Sequence, residues 1–263
     1  MTEVISHGQG GILSLTLNGP DSRNSINPEV YRAVRDQVIN AGNDPDIRAI
    51  VLTGAGGFFS SGGNVNALKD SAHGPLSAVN ANTDDLNAMI RAIVDCPTPV
   101  IAAVAGGAAG AGVALALSCD MIVAEAEAKF TAAYVRVGLS PDGGVTHFLR
   151  GAMPRQLVNE LCILGRPVTA ERLAQFGIVN EIAQSGQALD SAMALAGKVA
   201  AGPATAIRSI KHLVNTAADT ELCTHLWAEA DHINQARFGP EAAEGLSAFL
   251  EKRKPDFRKI KAP

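Results

Sequence analysis

The stretch VIAAVAGGAAGAGVALAL, residues 100–117, indicates the architecture around which the chain is built. Residues 100–105 form a continuous apolar run with the length and composition of a buried β-strand. A glycine-rich turn follows, and the small apolar residues 111–117 predict a helix. Strand, turn and helix in this order are typical of an α/β protein with parallel strands.

The same order of elements occurs before this stretch. A strand is predicted at 12–17, where apolar and polar residues alternate, and a helix with one apolar stripe begins after Asn27. Residues 47–53 predict a buried strand that ends in a glycine-rich turn, and residues 83–94 predict another helix. These segments favour a repeated strand and helix unit in the first part of the chain.

Beyond Gly151 the pattern changes to helices joined by short connections. One further strand is predicted, at 178–182. Helices are predicted at 188–200, 204–216, 221–236 and 241–252. Because no low-complexity linker separates the two parts, we expect the C-terminal helices to pack against the core or against a neighbouring subunit.

The composition limits the kinds of partner. The 263 residues are 47% hydrophobic and 18% charged, with a formal net charge of -4. This balance gives no broad attraction to nucleic acid or to anionic membranes, so a small-molecule ligand is favoured. The uncharged stretch between Cys96 and Cys119 is long enough for a membrane span, but its glycines, prolines and alanines are not typical of one. The N-terminus lacks a basic start followed by an apolar run, so we expect a cytoplasmic protein.

Metal and disulfide chemistry are not indicated. The four cysteines are widely spaced and form no CxxC pair, so we expect reduced thiols in the core. The histidines have no ligand spacing to one another, and no metal site is predicted. Glu125 and Glu127 alternate along a predicted strand and indicate a solvated face.

Two glycine-rich turns carry the first functional signal. FFSSGGN, residues 58–64, follows one predicted strand, and residues 104–113 follow the next. Small residues let backbone N–H groups face a ligand, and a helix N-terminus adds a dipole that favours negative charge. The first turn lacks the glycine spacing of a dinucleotide site and the Gly-Lys end of a P-loop, and a tight connection without a ligand is its alternative interpretation. Together the two turns can place one N–H group each on a single oxygen atom.

These turns and two further stretches resemble one known family. The stretches are PDSRNSIN at 20–27 and GLSAFLEKRKP at 245–255. Over nearly its whole length the chain resembles the crotonase superfamily, the enoyl-CoA hydratases and isomerases. The resemblance implies an α/β crotonase-like spiral of β-β-α units over residues 1–200 and a C-terminal helical trimerisation region over 201–263. It also implies an acyl-CoA thioester substrate, coenzyme A only as part of that substrate, and a homotrimer or a dimer of trimers.

The same resemblance implies a set of site residues. The backbone amides of the oxyanion hole fall on Gly63 and Ala111, where the second position is more often glycine. The family's adenine and phosphate contacts fall near Asn24, Ser25 and Ile26, with Arg23 beside them. The implied substrate-binding residues are Asn24, Ser25, Ile26, Ser61, Gly62, Tyr134 and Lys252.

The reaction depends on the carboxylates. Hydratases of the family hold a water between two glutamates, and the matching positions are Ala114 and Tyr134, neither of which moves a proton as a carboxylate does. Asp142, in SPDGG, matches the catalytic acid of several crotonase-like isomerases, with a helix N-cap as its alternative role. Aromatic dehalogenases use this position together with a histidine, and Asn87 stands at the place that matches the histidine.

The sequence therefore favours an acyl-CoA isomerase that converts 3-enoyl-CoA to 2-enoyl-CoA, with Asp142 as the proton carrier. Three alternatives stay open. The first is a hydratase that uses Asp142 alone or a water held by Tyr134. The second is an isomerase that opens the ring of 1,2-epoxyphenylacetyl-CoA. The third is a catalytically silent acyl-CoA-binding subunit, in which Asp142 only caps a helix.

Overall fold

The computed structural model describes residues 2–260, so residue 1 and residues 261–263, the outer ends of the two predicted regions, lie outside the described residues. The described strands form two sheets. In chain order they are β1 (Glu3–Gln9), β2 (Ile12–Asn18), β3 (Ala49–Gly54), β4 (Val100–Val104), β5 (Gly107–Ala109), β6 (Met121–Glu125), β7 (Lys129–Thr131), β8 (Pro167–Thr169) and β9 (Glu181–Ala183).

The larger sheet has the strand order β1-β2-β3-β4-β6-β9. β1 pairs antiparallel with β2, and the other neighbouring pairs are parallel. Parallel strands end at the same edge of a sheet, and Thr53 of β3 lies opposite Ala103 of β4. The two glycine-rich turns therefore leave the sheet side by side. The smaller sheet, β5-β7-β8, begins within the second turn.

The helices lie on both faces of the larger sheet and after it in the chain. A 3-10 helix at Ala133–Val137 follows β7. The α-helices are α1 (Pro28–Asn43), α2 (Val65–Ser71), α3 (Leu76–Asp95), α4 (Ala111–Leu117), α5 (Val145–Ala152), α6 (Arg155–Leu164), α7 (Ala170–Ala174), α8 (Ala188–Ala200), α9 (Ala204–Ala217), α10 (Leu222–Arg237) and α11 (Pro240–Leu250).

Two apolar clusters hold the larger sheet between helices. On one face, buried residues of β2, β3 and β4 pack with α1, α3 and α4. On the other face, Ala192, Ala196 and Ala200 of α8 cluster with Val51 and Ile101. The four-residue spacing puts the three alanines on one side of the helix, and their small size lets the helix lie close to the sheet.

A buried ion pair joins the C-terminal helices to the core. The ammonium group of Lys211 on α9 lies 2.7 Å from the carboxylate of Asp120 and donates to the carbonyl oxygen of Ile93. The same carboxylate accepts a hydrogen bond from the amide of Val100 at 2.7 Å. Removal of either charge would leave the other buried and unpaired. α9 is thus attached beside the strand that leads into the second glycine-rich turn.

Some elements differ from the sequence prediction, each for a local reason. The sequence does not predict β1 or β8. Nearly all residues of β1 are exposed, so it shows no apolar alternation, and β8 is only three residues long. α3 begins at Leu76 rather than at residue 83, since its first two turns are exposed and show no apolar stripe. The prediction of four core cysteines is wrong for Cys223, which is exposed. No helix in the described part of the chain is both long enough and apolar enough to cross a membrane.

Candidate active site

The two glycine-rich turns are joined backbone to backbone. The carbonyl oxygen of Ser60 accepts a hydrogen bond from the amide of Ala109 at 2.9 Å, and a Cβ atom on Gly112 would come 2.9 Å from the Ser60 Cβ. Gly62 has a φ of +80°, and a Cβ atom there would overlap the Ala109 carbonyl oxygen and lie 2.9 Å from the amide nitrogen of Ala111. Glycine is required here because a side chain would push the turns apart.

The amides of Gly63 and Ala111 lie on these adjoining turns. Ala111 is the first residue of α4, and first-turn N–H groups have no acceptor within their own helix. Gly63 directly follows Gly62, which packs against Ala111. Within residues 2–260 neither amide donates a hydrogen bond. Two free donors on neighbouring turns are what an oxyanion hole requires.

Asn24 braces the first turn from the protein interior. It is fully buried, its Oδ1 accepts from the amide of Gly19 at 2.9 Å, and its Nδ2 donates to the carbonyl oxygens of Ala55 and Phe58. Its own carbonyl oxygen accepts from the hydroxyl of Ser60 at 2.8 Å. The side chain of Asn24 therefore holds the first turn in shape through backbone contacts, and its place among the substrate-binding residues stays a prediction.

The other residues predicted near the coenzyme run alongside the first turn. The amide of Ile26 donates to the carbonyl oxygen of Gly62 at 2.9 Å, and its side chain is buried in the core. The amide of Ser61 donates to the carbonyl oxygen of Arg23 at 2.8 Å. Ser25 and Ser61 are half-buried, whereas Arg23 is exposed at the rim. The side chain of Ile26 thus has a packing role, and the polar rim is formed by the other three.

Tyr134 and Asp142 are directly hydrogen-bonded. The hydroxyl of Tyr134 donates to Oδ1 of Asp142 at 2.8 Å, and Tyr134 is only 9% exposed. After Asp142 the chain turns through Gly143 and Gly144, whose φ angles of +59° and +86° favour glycine. α5 begins after Gly144 and has no side-chain cap. The alternative role of Asp142 as a helix N-cap is therefore not what the geometry provides.

The surroundings of Asp142 favour its protonated form more than water does. Burial raises the pKa of Asp142, and the hydrogen bond from Tyr134 lowers it in part. Burial and then the charge of Asp142 raise the pKa of Tyr134, so the phenol stays a donor. The carboxylate of Asp142 also affects Tyr31 of α1. Burial, and after it the negative charge of Asp142, raise the pKa of Tyr31 to about 12. A carboxyl group with a raised pKa is suited to proton transfer near neutral pH.

Apolar groups pack under the turn that follows Asp142. A Cβ atom on Gly143 would come 2.8 Å from the Cβ of Ala114 and 3.5 Å from Cδ2 of Leu86. Ala114 and Leu86 are both buried, whereas Asn87, which matches the dehalogenase histidine, is exposed. The α3 residue that faces this turn is therefore aliphatic.

The basic C-terminal segment contains two kinds of residue. The guanidinium of Arg253 lies 2.6 and 2.9 Å from the two carboxylate oxygens of Glu244 and 2.6 Å from the carboxylate of Glu251. Lys252 is exposed, has a φ of +55° and forms no ion pair with any residue from 2 to 260. Of the two neighbouring cations, Lys252 is the one free to meet a ligand.

Glu125 has a structural role that the alternating pattern of its strand does not indicate. Its carboxylate accepts from the amide of Gly106 at 3.1 Å and from the amide of Gly186 at 2.8 Å. It therefore holds the start of the second glycine-rich turn, instead of only facing solvent. Alternation along a strand cannot reveal this role, because the two amides that donate to Glu125 belong to other parts of the chain.

Two further residues near the site have no sequence motif. A Cβ atom on Gly63 would come 3.7 Å from Cδ1 of Leu68, so α2 lies over the first turn. Tyr31 is buried together with Val30 and Val34 in α1. In the sequence it therefore looks like part of the apolar stripe, and nothing marks its hydroxyl as functional. Neither residue stands in a pattern that distinguishes it from ordinary packing.

Apart from the polar rim, the two turns and the hydrogen-bonded pair contribute two amides, one carboxyl group and one phenol that can donate a hydrogen bond or exchange a proton. They belong to Gly63, Ala111, Asp142 and Tyr134. Among residues 2–260, no group of three or more His, Cys, Asp or Glu side chains is arranged to hold a metal ion.

The fold and the paired turns define the class of the enoyl-CoA hydratases and isomerases, and the comparisons with known proteins agree. Residues 7–260 match the family "Enoyl-CoA hydratase/isomerase", and the chain belongs to that family. It is thus an enzyme of the hydratase and isomerase family. The predicted α/β crotonase-like fold is confirmed.

Individual relatives differ in the reaction that their names give. The chain is 34% identical to 1,2-epoxyphenylacetyl-CoA isomerase from Escherichia coli, with 98% of each chain covered. It is 32% identical to 2,3-dehydroadipyl-CoA hydratase from the same organism, with 98% of this chain and 99% of the relative covered. The crystal structure of an enoyl-CoA hydratase from Polaromonas sp. JS666 superposes with a TM-score of 0.94 at 40% identity, covering 96% of this chain and 98% of the other.

Proposed function

We propose that the protein is an acyl-CoA isomerase that moves a double bond from C3 to C2 of an enoyl thioester. The observation that carries the proposal is the setting of Asp142, a carboxyl group with a raised pKa on the turn that packs against α4. At the two positions where family hydratases have glutamates, the chain has the buried methyl group of Ala114 and the phenol of Tyr134. One acid near the substrate is suited to carrying a proton and less suited to activating water.

In the proposed reaction the thioester oxygen accepts hydrogen bonds from the amides of Gly63 and Ala111. Asp142 removes a proton from C2, and the C–H electron pair forms a dienolate whose negative charge lies on that oxygen. The same carboxyl group then returns the proton to C4, which leaves the double bond between C2 and C3. Each amide donor is expected to stabilise the transition state by about 3 to 4 kcal/mol.

Coenzyme A enters this proposal as part of the substrate and not as a separate cofactor. The exposed guanidinium of Arg23 and the half-buried hydroxyl of Ser25 form a polar rim beside the first turn, next to Ser61, whose hydroxyl donates to the carbonyl oxygen of Ser22 at 2.9 Å. Lys252 supplies a further exposed cation. These groups match the phosphates of an acyl-CoA thioester.

A second candidate is the ring-opening isomerisation of 1,2-epoxyphenylacetyl-CoA. The similarity to the Escherichia coli isomerase of that name supports it. Hydration is the alternative supported by the names of other relatives. A silent acyl-CoA binder would have no use for a carboxyl group held by a buried phenol.

We further propose a homotrimer or a dimer of trimers, assembled through the helical region 201–263. Leu246, Phe249 and Leu250 of α11 are 60%, 81% and 80% exposed in one chain. Apolar groups exposed together on one helix favour contact with another chain. Light scattering should give a mass of three or six times 27.2 kDa.

A product assay tests the reaction. The purified enzyme is incubated separately with a 3-enoyl-CoA, the matching 2-enoyl-CoA and 1,2-epoxyphenylacetyl-CoA. The products are separated, and their molecular masses are measured by mass spectrometry. We expect a shifted double bond without a change in mass. Rapid gain of one water by the 2-enoyl thioester contradicts the proposal, and so does the absence of turnover with all three compounds.

A further inference from the structure

Tyr134 and Asp142 form a pair whose geometry distinguishes the two oxygens of the carboxyl group. The hydroxyl of Tyr134 donates to Oδ1 at 2.8 Å. Oδ2 accepts no hydrogen bond from any side chain or backbone group of residues 2–260 other than its own residue. Oδ1 is therefore engaged by another residue, whereas Oδ2 has no partner among the other described residues.

The backbone on both sides of this pair is fixed. The carbonyl oxygen of Tyr134 accepts from the amide of Leu139 at 3.0 Å, and Gly138 closes the 3-10 helix with a φ of +75°. The carbonyl oxygen of Asp142 accepts from the amide of Val145 at 3.3 Å. The hydrogen bond between the side chains joins these two fixed points, so it restricts rotation of the carboxyl group.

We propose that Tyr134 is a positioning residue, which holds Oδ1 of Asp142 so that Oδ2 carries the proton between C2 and C4 of the thioester. This inference rests on the proposed isomerase function. A lone pair of Oδ2 takes the C2 proton while the C–H electron pair enters the dienolate. The Oδ2–H bond then breaks toward C4, whose electron pair comes from the C3–C4 double bond. Since one oxygen serves both carbons, both transfers occur on the same face of the acyl chain.

The charged and titratable groups around Asp142 are consistent with this role. Tyr134 faces it from the 3-10 helix, and Tyr31 from α1 senses its charge. Asp85 of α3 acts on Tyr31, and it is paired with Arg32 at 2.6 Å. Because the pKa of Tyr134 is raised by burial first, its phenol stays protonated while Asp142 titrates. Tyr31 makes no hydrogen bond to Asp142, which makes it a matched control.

The test compares Tyr134→Phe with Tyr31→Phe, each losing one buried hydroxyl near Asp142. Isomerase rates are measured across pH with a 3-enoyl-CoA. For Tyr134→Phe we expect kcat to fall by up to about 100-fold, with KM little changed, because the carboxyl group loses its alignment. The hydrogen bond lowers the pKa of Asp142, so its loss should move the acid limb of the rate profile to higher pH. Tyr31→Phe should leave that limb in place.

Asp142→Asn separates this inference from the proposed function. In that variant the change Tyr134→Phe should cause no further loss, because Tyr134 acts through Asp142. An additional loss in the Asp142→Asn protein, or a raised KM for Tyr134→Phe, would assign Tyr134 to direct substrate contact and overturn the inference. An unmoved acid limb also overturns it while the isomerase proposal stands. Full isomerase activity of Asp142→Asn overturns the role of Asp142 as the proton carrier, and with it this inference. Absence of isomerisation by the unmodified enzyme overturns the proposed function itself.

Discussion

In the candidate oxyanion hole the active groups are two backbone amides, whereas at Asp142 they are side-chain oxygens. The amides depend on how Gly62 packs against Ala111, and the chain tolerates alanine at 111 because alanine and glycine donate the same N–H group. The carboxyl group depends on the identity of Asp142 and on one partner, Tyr134. A single substitution can change this second half without altering the first. In the proposed reaction, activation of the thioester and the choice of reaction therefore depend on separate groups.

The largest expected effect on turnover comes from the side-chain half of the site, which consists of Asp142 and Tyr134. Asp142→Asn should lower isomerase turnover by about 100- to 10,000-fold, the range for loss of a positioned acid or base. Asparagine keeps an acceptor for Tyr134. Burial raises the pKa of Asp142, so its ionisation lowers the stability of the folded state as pH rises from the ordinary pKa of an aspartate through the raised one. The neutral amide should therefore not lower stability at neutral pH. Turnover, acyl-CoA binding by calorimetry and thermal unfolding check this, and unfolding of the variant at room temperature would contradict it.

The backbone half of the site, the amides of Gly63 and Ala111, can be tested by a substitution to proline. Ala111 is the first residue of α4, a position that accepts proline, and Gly110 before it has φ 51° and ψ -127°, the mirror image of extended backbone. Ala111→Pro removes the N–H group and should lower kcat on the order of 100- to 1,000-fold with a small change in thermal stability.

Ala111→Gly is the matched control for this variant, since it keeps the N–H group and introduces the residue more common in the family. We expect its turnover to stay close to that of the wild type. Comparable losses in both variants would show that the position matters for packing rather than as a hydrogen-bond donor.

The sequence predicted the two halves unequally, for physical reasons. Glycines mark places where backbones approach closely, so both turns and the amides of Gly63 and Ala111 follow from the pattern and the resemblance. The hydrogen bond between Tyr134 and Asp142 depends on the conformation of the intervening loop, and no periodicity encodes it. The resemblance places Asn24 beside the ligand, but it does not reveal that the side chain of Asn24 binds the backbone, because those contacts depend on how the loop folds.

A glutamate at position 114 tests whether the two halves are sterically coupled. Ala114 is fully buried under Gly143, so the turn that carries Asp142 must move to admit a longer side chain. Ala114→Glu should lower the free energy of unfolding by about 1 to 3 kcal/mol and give no gain in hydration. Chemical denaturation and the water-addition assay measure both. Ala114→Ser is the small-residue control. An unchanged free energy of unfolding together with rapid hydration by Ala114→Glu would show that the turn adapts to the longer side chain.

The smallest expected effect lies outside both halves, at the C-terminal segment. Lys252 is exposed and forms no ion pair within the described residues, whereas Arg253 is held by Glu244 and Glu251. If Lys252 meets a phosphate of coenzyme A, Lys252→Ala should weaken binding of acyl-CoA by up to about fivefold, the range of an exposed ion pair, and reduce its dependence on salt. Binding of the short pantetheine thioester, which lacks the nucleotide phosphates, should stay unchanged. Lys254→Ala removes a neighbouring exposed charge and serves as the control. Equal weakening for both thioesters, or none for either, would leave Lys252 as a surface charge that balances the dipole of α11.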